Sequence, residues 1–112
     1  MQQVDQMRKG TTTLAILTLL ADADQTMHGY QIIQALEQRS RGEFLFKEGL
    51  IYPRLHQMEQ AGLLSSRWEG APGSRRRKVY TVTEAGRQCL AAELAQWQAF
   101  SQGMDRLLGL AG

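Results

Sequence analysis

Four cations stand side by side in residues 70–86, GAPGSRRRKVYTVTEAG: Arg75, Arg76, Arg77 and Lys78. Adjacent like charges repel, so water or an anionic partner must relieve the cluster. The chain carries 13 Lys and Arg against 11 Asp and Glu, a formal net charge of +2; without those four the balance is 9 against 11. The positive charge is therefore local. A concentrated cation cluster suits a polyanion, either nucleic acid or anionic lipid. The plainer reading is a solvated basic loop that binds nothing.

No catalytic constellation accompanies the cluster. The sequence reads as a non-enzyme with no catalytic residues, no cofactor and no metal site. His28 and His56 are 28 residues apart, with no carboxylate or cysteine at metal-ligand spacing beside them. His28, just ahead of Gly29 and Tyr30, suits a helix start better than a site. Gly70 and Gly73 belong to a turn, not to a phosphate-cradling loop after a strand. The single cysteine, Cys89, excludes an internal disulfide and a multi-cysteine zinc site. Cys89 is either an inert thiol or, through a disulfide between two chains, a redox switch; only Arg87 lies near enough in sequence to lower its pKa.

The elements that must position these residues follow from pattern and punctuation. At 112 residues the chain supports one domain with one modest core. Its longest apolar stretches, such as 14–17, are too short to span a bilayer, and no signal segment opens the chain. The expectation is a cytoplasmic protein without a membrane partner. Residues 1–10 are polar and expected to be loosely held. Thr11 or Thr12 caps a first helix whose apolar face is Leu14, Ile16, Leu17 and Leu20. After the polar break DADQT, with Thr26 as N-cap, Tyr30, Ile32, Ile33 and Leu36 mark a second helix that Gly42 ends.

A third helix starts between Lys47 and Leu50 and ends at the C′ glycine Gly62. Ile51, Leu55 and Met58 form its buried face; Arg54, Gln57 and Gln60 lie opposite, and Pro53 is expected in its first turn. Leu64, Ser66 and Trp68 then share one side of a strand, and GAPGS supplies a turn. RRRKVYTVT returns as a second strand, with Tyr80 and Val82 on one side and Val79 and Thr81 on the other. Thr83 caps a long last helix. The fold is therefore mainly α with a small β-hairpin: a winged helix-turn-helix over residues 1–83, plus a C-terminal dimerisation helix over 84–112, in one compact unit.

This arrangement gives the cations a setting. If the run lay over the core, one pair of charges would be buried without partners. It is therefore expected to overhang as a free arm, wet on both faces and able to meet a phosphate backbone or enter a minor groove. In helix-turn-helix proteins the third helix meets the major groove. Lys47, Arg54 and Gln57 are its candidates for phosphate or base contact, and Tyr52 for backbone contact or packing. An exposed arginine is also often simply solvated.

In the last helix, Leu90, Leu94, Trp97, Ser101, Met104 and Leu108 step by four and three, as in a heptad seam. A homodimer interface is one reading; an amphipathic helix folded back on its own domain is the other. Trp97 packs in such a seam or, with Phe100 and Met104, sandwiches a planar aromatic small molecule across a two-fold axis.

Three stretches in order, HGYQIIQALEQ, GLIYPRLHQMEQAGLL and RRRKVYTVTEAGRQCL, resemble the PadR family of bacterial transcriptional regulators. The resemblance covers about residues 11–100. It implies a homodimer on an inverted-repeat operator in double-stranded DNA, usually a repressor. The length resembles the short branch, whose single C-terminal helix makes the dimer and in some members encloses a planar aromatic or drug-like effector. Leu50 departs from the family, which often has Ser or Thr there, so that hydroxyl contact to DNA does not carry over. The alternative is a winged-helix module that binds protein rather than DNA; such modules usually lack a basic wing.

Overall fold

The computed structural model describes residues 2–23 and 26–110. Its elements are α1 (Gln2–Ala23), β1 (Met27–His28), α2 (Gly29–Arg39), α3 (Glu48–Gln60), β2 (Leu64–Glu69), β3 (Arg77–Val82) and α4 (Glu84–Leu108). The mainly helical fold with a β-hairpin and a long last helix is as expected. The sheet has three antiparallel strands in the order β1-β3-β2, not two.

Helices α1, α2 and α3 enclose the core. Ile16, Leu17 and Leu20 of α1, Ile32 of α2, and Ile51 and Leu55 of α3 are fully buried. Leu64, Tyr80 and Val82 of the hairpin close the cluster, with Leu63, Cys89 and Leu90 packed against it half-buried. α1 begins at Gln2, so residues 2–10 are helical rather than loosely held. Gln, Met, Arg and Lys are good helix formers, and no proline interrupts them, so the helix runs past the expected caps. Thr12 is buried within it.

β1 is the element that pattern reading lacked. Met27 pairs with Tyr80 and His28 with Val79, so β3 is paired along both edges. Thr26 bonds Thr81, hydroxyl to hydroxyl, at 3.3 Å instead of capping α2. His28 takes the cap: its Nδ1 accepts from the Gln31 N–H, and the Gln31 side chain accepts from the His28 N–H. Two residues are too few to show strand periodicity, and histidine is not a favoured N-cap type. Asp24 and Gln25 of the expected polar break lie outside the described residues.

Helix ends show two further differences. α2 ends in a Schellman motif whose C′ residue is Arg41, at φ 54°, with Gly42 following; Gly42 N–H reaches Glu37 O at 2.9 Å. In α3, Pro53 is the sixth residue, inside the helix rather than in its first turn. It withholds the hydrogen bond that would reach the carbonyl of Gly49. Gly62, at φ 79°, does end α3, with Leu63 N–H bonded to Met58 O at 2.9 Å.

Thr83 joins α3 to α4. Its hydroxyl donates to Gly62 O at 2.6 Å and accepts from Gly86 N–H at 3.0 Å, and its own N–H reaches Leu63 O at 3.1 Å. This brings the first turn of α4 hard against backbone. A Cβ on Gly86 would stand 2.2 Å from Leu63 O and 2.8 Å from Val82 Cγ2. A carbonyl held by Thr83 cannot swing aside as a flexible side chain would. Gly86→Ala is therefore expected to destabilise the fold by about 1–3 kcal/mol, lowering the thermal midpoint by about 5 °C or more. Thermal unfolding followed by circular dichroism measures this; an unchanged midpoint would contradict the docking of α4 on Leu63.

Candidate nucleic-acid interface

The cations do not form one free arm. Arg75 and Arg76 lie in the exposed loop of residues 70–76, braced by Ser74, whose N–H and hydroxyl both donate to Ala71 O. Arg77 and Lys78 belong to β3, opposite Glu69 and Trp68. Lys78 shares the core-facing parity of Tyr80 and Val82, so its stem lies over the sheet with its side chain 31% exposed. Burial there is tolerated because a partner is present: Lys78 Nζ is 2.8 Å from Glu59 Oε1 of α3 and 5.6 Å above the Tyr80 ring.

Glu59 ties three elements. Its carboxylate accepts from Lys78 of β3 and from the Ser66 hydroxyl of β2. The Lys78 hydrogen bond, then that of Ser66, holds Glu59 below the usual carboxylate range; the same Glu59 bond raises Lys78. Burial pushes the Tyr80 hydroxyl up. The hairpin is thereby tied to the end of α3 at the surface, in addition to the packing of Leu64, Tyr80 and Val82 on the core that α3 shares.

Around the other end of α3, α2, α3 and the hairpin surround a cleft of about 550 Å³. Arg75, Arg76, Arg77 and Lys78 line it, with Glu48 the one carboxylate among the described residues of the lining. Its aromatic lining includes Tyr30, Tyr52 and Trp68. Tyr52 lies across the first residue of α2: a Cβ on Gly29 would stand 2.4 Å from its ring. Of the residues expected on α3, Lys47 is the exposed N-cap, Tyr52 and Gln57 are exposed, and Arg54 is half-buried. The Arg54 Nε is enclosed without a hydrogen bond among the described residues. Tyr30, Trp68 and His28 were not among the site residues expected from sequence. The available signal for Trp68 was its place just ahead of the GAPGS turn, across the hairpin from the basic run; it pairs with Lys78.

A second, smaller groove of about 170 Å³ separates α1 from α4. Trp97 and Phe100 line it with Leu14 and Thr11, their ring centroids 6.1 Å apart; Met104 is not in its lining. Along the expected seam, Leu90 packs on the domain's own core, Ser101 and Met104 are half-buried, and Leu94, Trp97 and Leu108 are exposed. Burial, reinforced by Glu93, pushes the Cys89 thiol up, which favours the unreactive protonated form. No group of three metal-ligating side chains occurs among the described residues, and no helix among them is long and apolar enough to cross a membrane.

A family model described as the transcriptional regulator PadR-like family matches residues 16–92. A transcriptional regulator of Mycobacterium tuberculosis is 39% identical over 71 residues, 63% of this chain and 63% of its own. The crystal structure of a PadR family transcriptional regulator from Eggerthella lenta matches with a TM-score of 0.75 at 28% identity, over 96% of this chain and 86% of that one. Bacillus subtilis PadR in complex with operator DNA matches with a TM-score of 0.65 at 28% identity, over 73% of this chain and 45% of that one.

The Glu59 tie has a measurable pH signature. Because the folded state lowers its pKa, Glu59 contributes stability that is complete above the ordinary carboxylate range and lost as pH falls through the lowered value. Both partners are about one-third exposed, so Glu59→Gln is expected to cost less than about 1 kcal/mol at neutral pH. The wild-type and Glu59→Gln unfolding midpoints should converge as pH falls from the ordinary carboxylate range through the lowered value. A gap that stayed constant over that range would mean that the carboxylate is not paired.

Proposed function

The chain belongs to the PadR-like family of transcriptional regulators, and from that premise we propose that it binds double-stranded DNA as a homodimer and represses transcription from an inverted-repeat operator in the cytoplasm. The observation that carries this reading is the convergence of the start of α3, through Glu48 and Tyr52, and the cationic hairpin around one cleft in which Glu48 is the only carboxylate among the described residues. In this proposal α3 lies in the major groove, with Arg54 and Gln57 toward base edges and Lys47 and Tyr52 toward the backbone. The enclosed Arg54 Nε supports a held side chain over a freely solvated one. Arg75 and Arg76 reach phosphate or the minor groove, Arg77 stands beside them, and Lys78 contributes charge while held by Glu59. Such a charge arrangement suits a polyanion.

Two-fold symmetry in the protein would match two-fold symmetry in the operator. The dimer reading rests on α4, which leaves Leu94, Trp97, Phe100, Leu107 and Leu108 exposed. Such a face on one helix is an association surface. Trp97 and Phe100, 44% and 47% exposed beside the α1–α4 groove, suit a planar aromatic effector whose binding releases the DNA.

Salt dependence tests the DNA reading. If the dimer neutralises on the order of eight phosphates, log K falls with log salt at a slope of about −7. Replacing Arg75, Arg76 and Arg77 with Ala should weaken binding to all sequences alike and shrink the slope by about one unit for each phosphate no longer neutralised. Arg54→Ala or Gln57→Ala should instead relax sequence preference, by about 1–3 kcal/mol at the base concerned. Binding that ignored salt would overturn the proposal.

Sedimentation and fluorescence test the α4 reading together. The wild type should sediment as a dimer and Trp97→Glu as a monomer. A planar cationic dye should quench tryptophan fluorescence in the wild type and in Trp68→Phe, but not in Trp97→Ala. Quenching that survives the loss of Trp97 would remove the effector site.

A further inference from the structure

His28 is placed where two donors compete for one bare nitrogen. A neutral imidazole has one N–H and one acceptor nitrogen. At Nδ1 the ring faces the Gln31 backbone N–H, 3.3 Å away; at Nε2 it faces the Arg77 Nη1, 3.0 Å away. Both neighbours are donors, and only one can be accepted. The helix cap has the stronger hold, because the Gln31 N–H is fixed in the backbone and the Gln31 side chain bonds back to the His28 N–H at 3.1 Å. The exposed Arg77 guanidinium is free to turn. The bare nitrogen is therefore Nδ1, and Nε2 carries a hydrogen toward Arg77.

Burial, then the Arg77 charge, holds His28 below its usual range and keeps the ring neutral at neutral pH. The result is a neutral N–H donor and a guanidinium side by side in the cleft. Such a pair matches an anionic oxygen that accepts from both. The surroundings narrow the anion. The loop brings Arg75 and Arg76, β3 brings Lys78 and Tyr80, and α3 brings Tyr52 and Glu48, the one carboxylate among the described lining residues. The cleft is open beside the exposed start of α3, so an anion that is part of a chain can pass through.

We propose that His28 and Arg77 together clamp one phosphodiester of the DNA backbone, which makes His28 a DNA-contacting residue as well as the cap of α2. This rests on the DNA-binding reading above. The two clamp members differ in one respect that binding can measure. Arg77 neutralises charge and releases a counterion; neutral His28 adds a hydrogen bond and releases none.

The experiment uses the full chain and a duplex selected from the source genome, titrated over a range of salt. His28→Asn keeps a good N-cap side chain but is too short to reach the Arg77 site. It should bind about tenfold more weakly with an unchanged salt slope. Arg77→Gln should weaken binding and reduce the slope by about one unit per protomer. The double variant should lose less than the sum of the two single losses, since both residues hold one phosphate. A neutral methylphosphonate scanned along the duplex guards against a folding defect, because it leaves the wild-type protein unaltered. At one position in each half-site it should weaken the wild type and leave the double variant unaffected.

Additive losses, wild-type affinity in His28→Asn, or the absence of such a position would overturn the clamp while the DNA reading stands. Wild-type protein that bound no duplex would overturn the DNA reading itself. Those two failures appear in different arms.

Discussion

Strand β3 is hydrogen-bonded along both edges, and the rest of the molecule is arranged around that constraint. On one side it pairs with β2 from Leu64 to Glu69; on the other it holds Met27 and His28. Its inward side chains, Tyr80 and Val82, close the core beneath the three helices. Its last residue leads directly into Thr83, which fastens the end of α3 to the start of α4. A one-residue slip would exchange the two faces, sending Lys78 outward and Arg77 over the core. The register therefore decides which cation is paired and which is free.

That division resolves the repulsion within the basic run. Lys78 is neutralised by Glu59, Arg77 stands against His28, and Arg75 and Arg76 remain in water on the loop. The fold spreads four adjacent charges over three environments. Surface ion pairs contribute little stability, so the Glu59–Lys78–Ser66 cluster matters chiefly for geometry. It braces the hairpin against α3 beside their shared core, and the proposed recognition surface, built from two elements, needs the angle between them held before a partner arrives.

The two ends of the chain solve a different problem. α1 and α4, of 22 and 25 residues, are much longer than α2 and α3 and give a molecule 59 Å long and 28 Å across. A single small core cannot cover helices of that length. The start of α4 is anchored by Gly86 and Leu90, while its later apolar residues stand beyond the core. The same helix thus serves the domain at one end and, on the proposed reading, a second copy at the other. The α1–α4 groove with Trp97 lies where these two roles meet.

Much of this was legible in the sequence because it depends on local rules. Helical spacing located Ile51, Leu55 and Met58. Gly62 and Thr83 marked a stop and a start through backbone chemistry that neighbours alone decide, and the ordered motifs pointed to the PadR-like family. Other features depend on residues far apart in the chain. β1 exists only because β3 offers an edge some fifty residues later, and that pairing moved the α2 cap from Thr26 to His28. Lys78 and Glu59 meet only once the hairpin folds onto α3, so no count of charges could show that one of the four cations was already taken. The sequence by itself determined that helices α1 to α4 and a hairpin exist, where the hairpin turns and that a basic cluster exists, though not that the first helix reaches back to Gln2. The tertiary structure alone decided which cations face solvent and which side chains share the cleft, because both follow from strand register and helix docking rather than from neighbours in the chain.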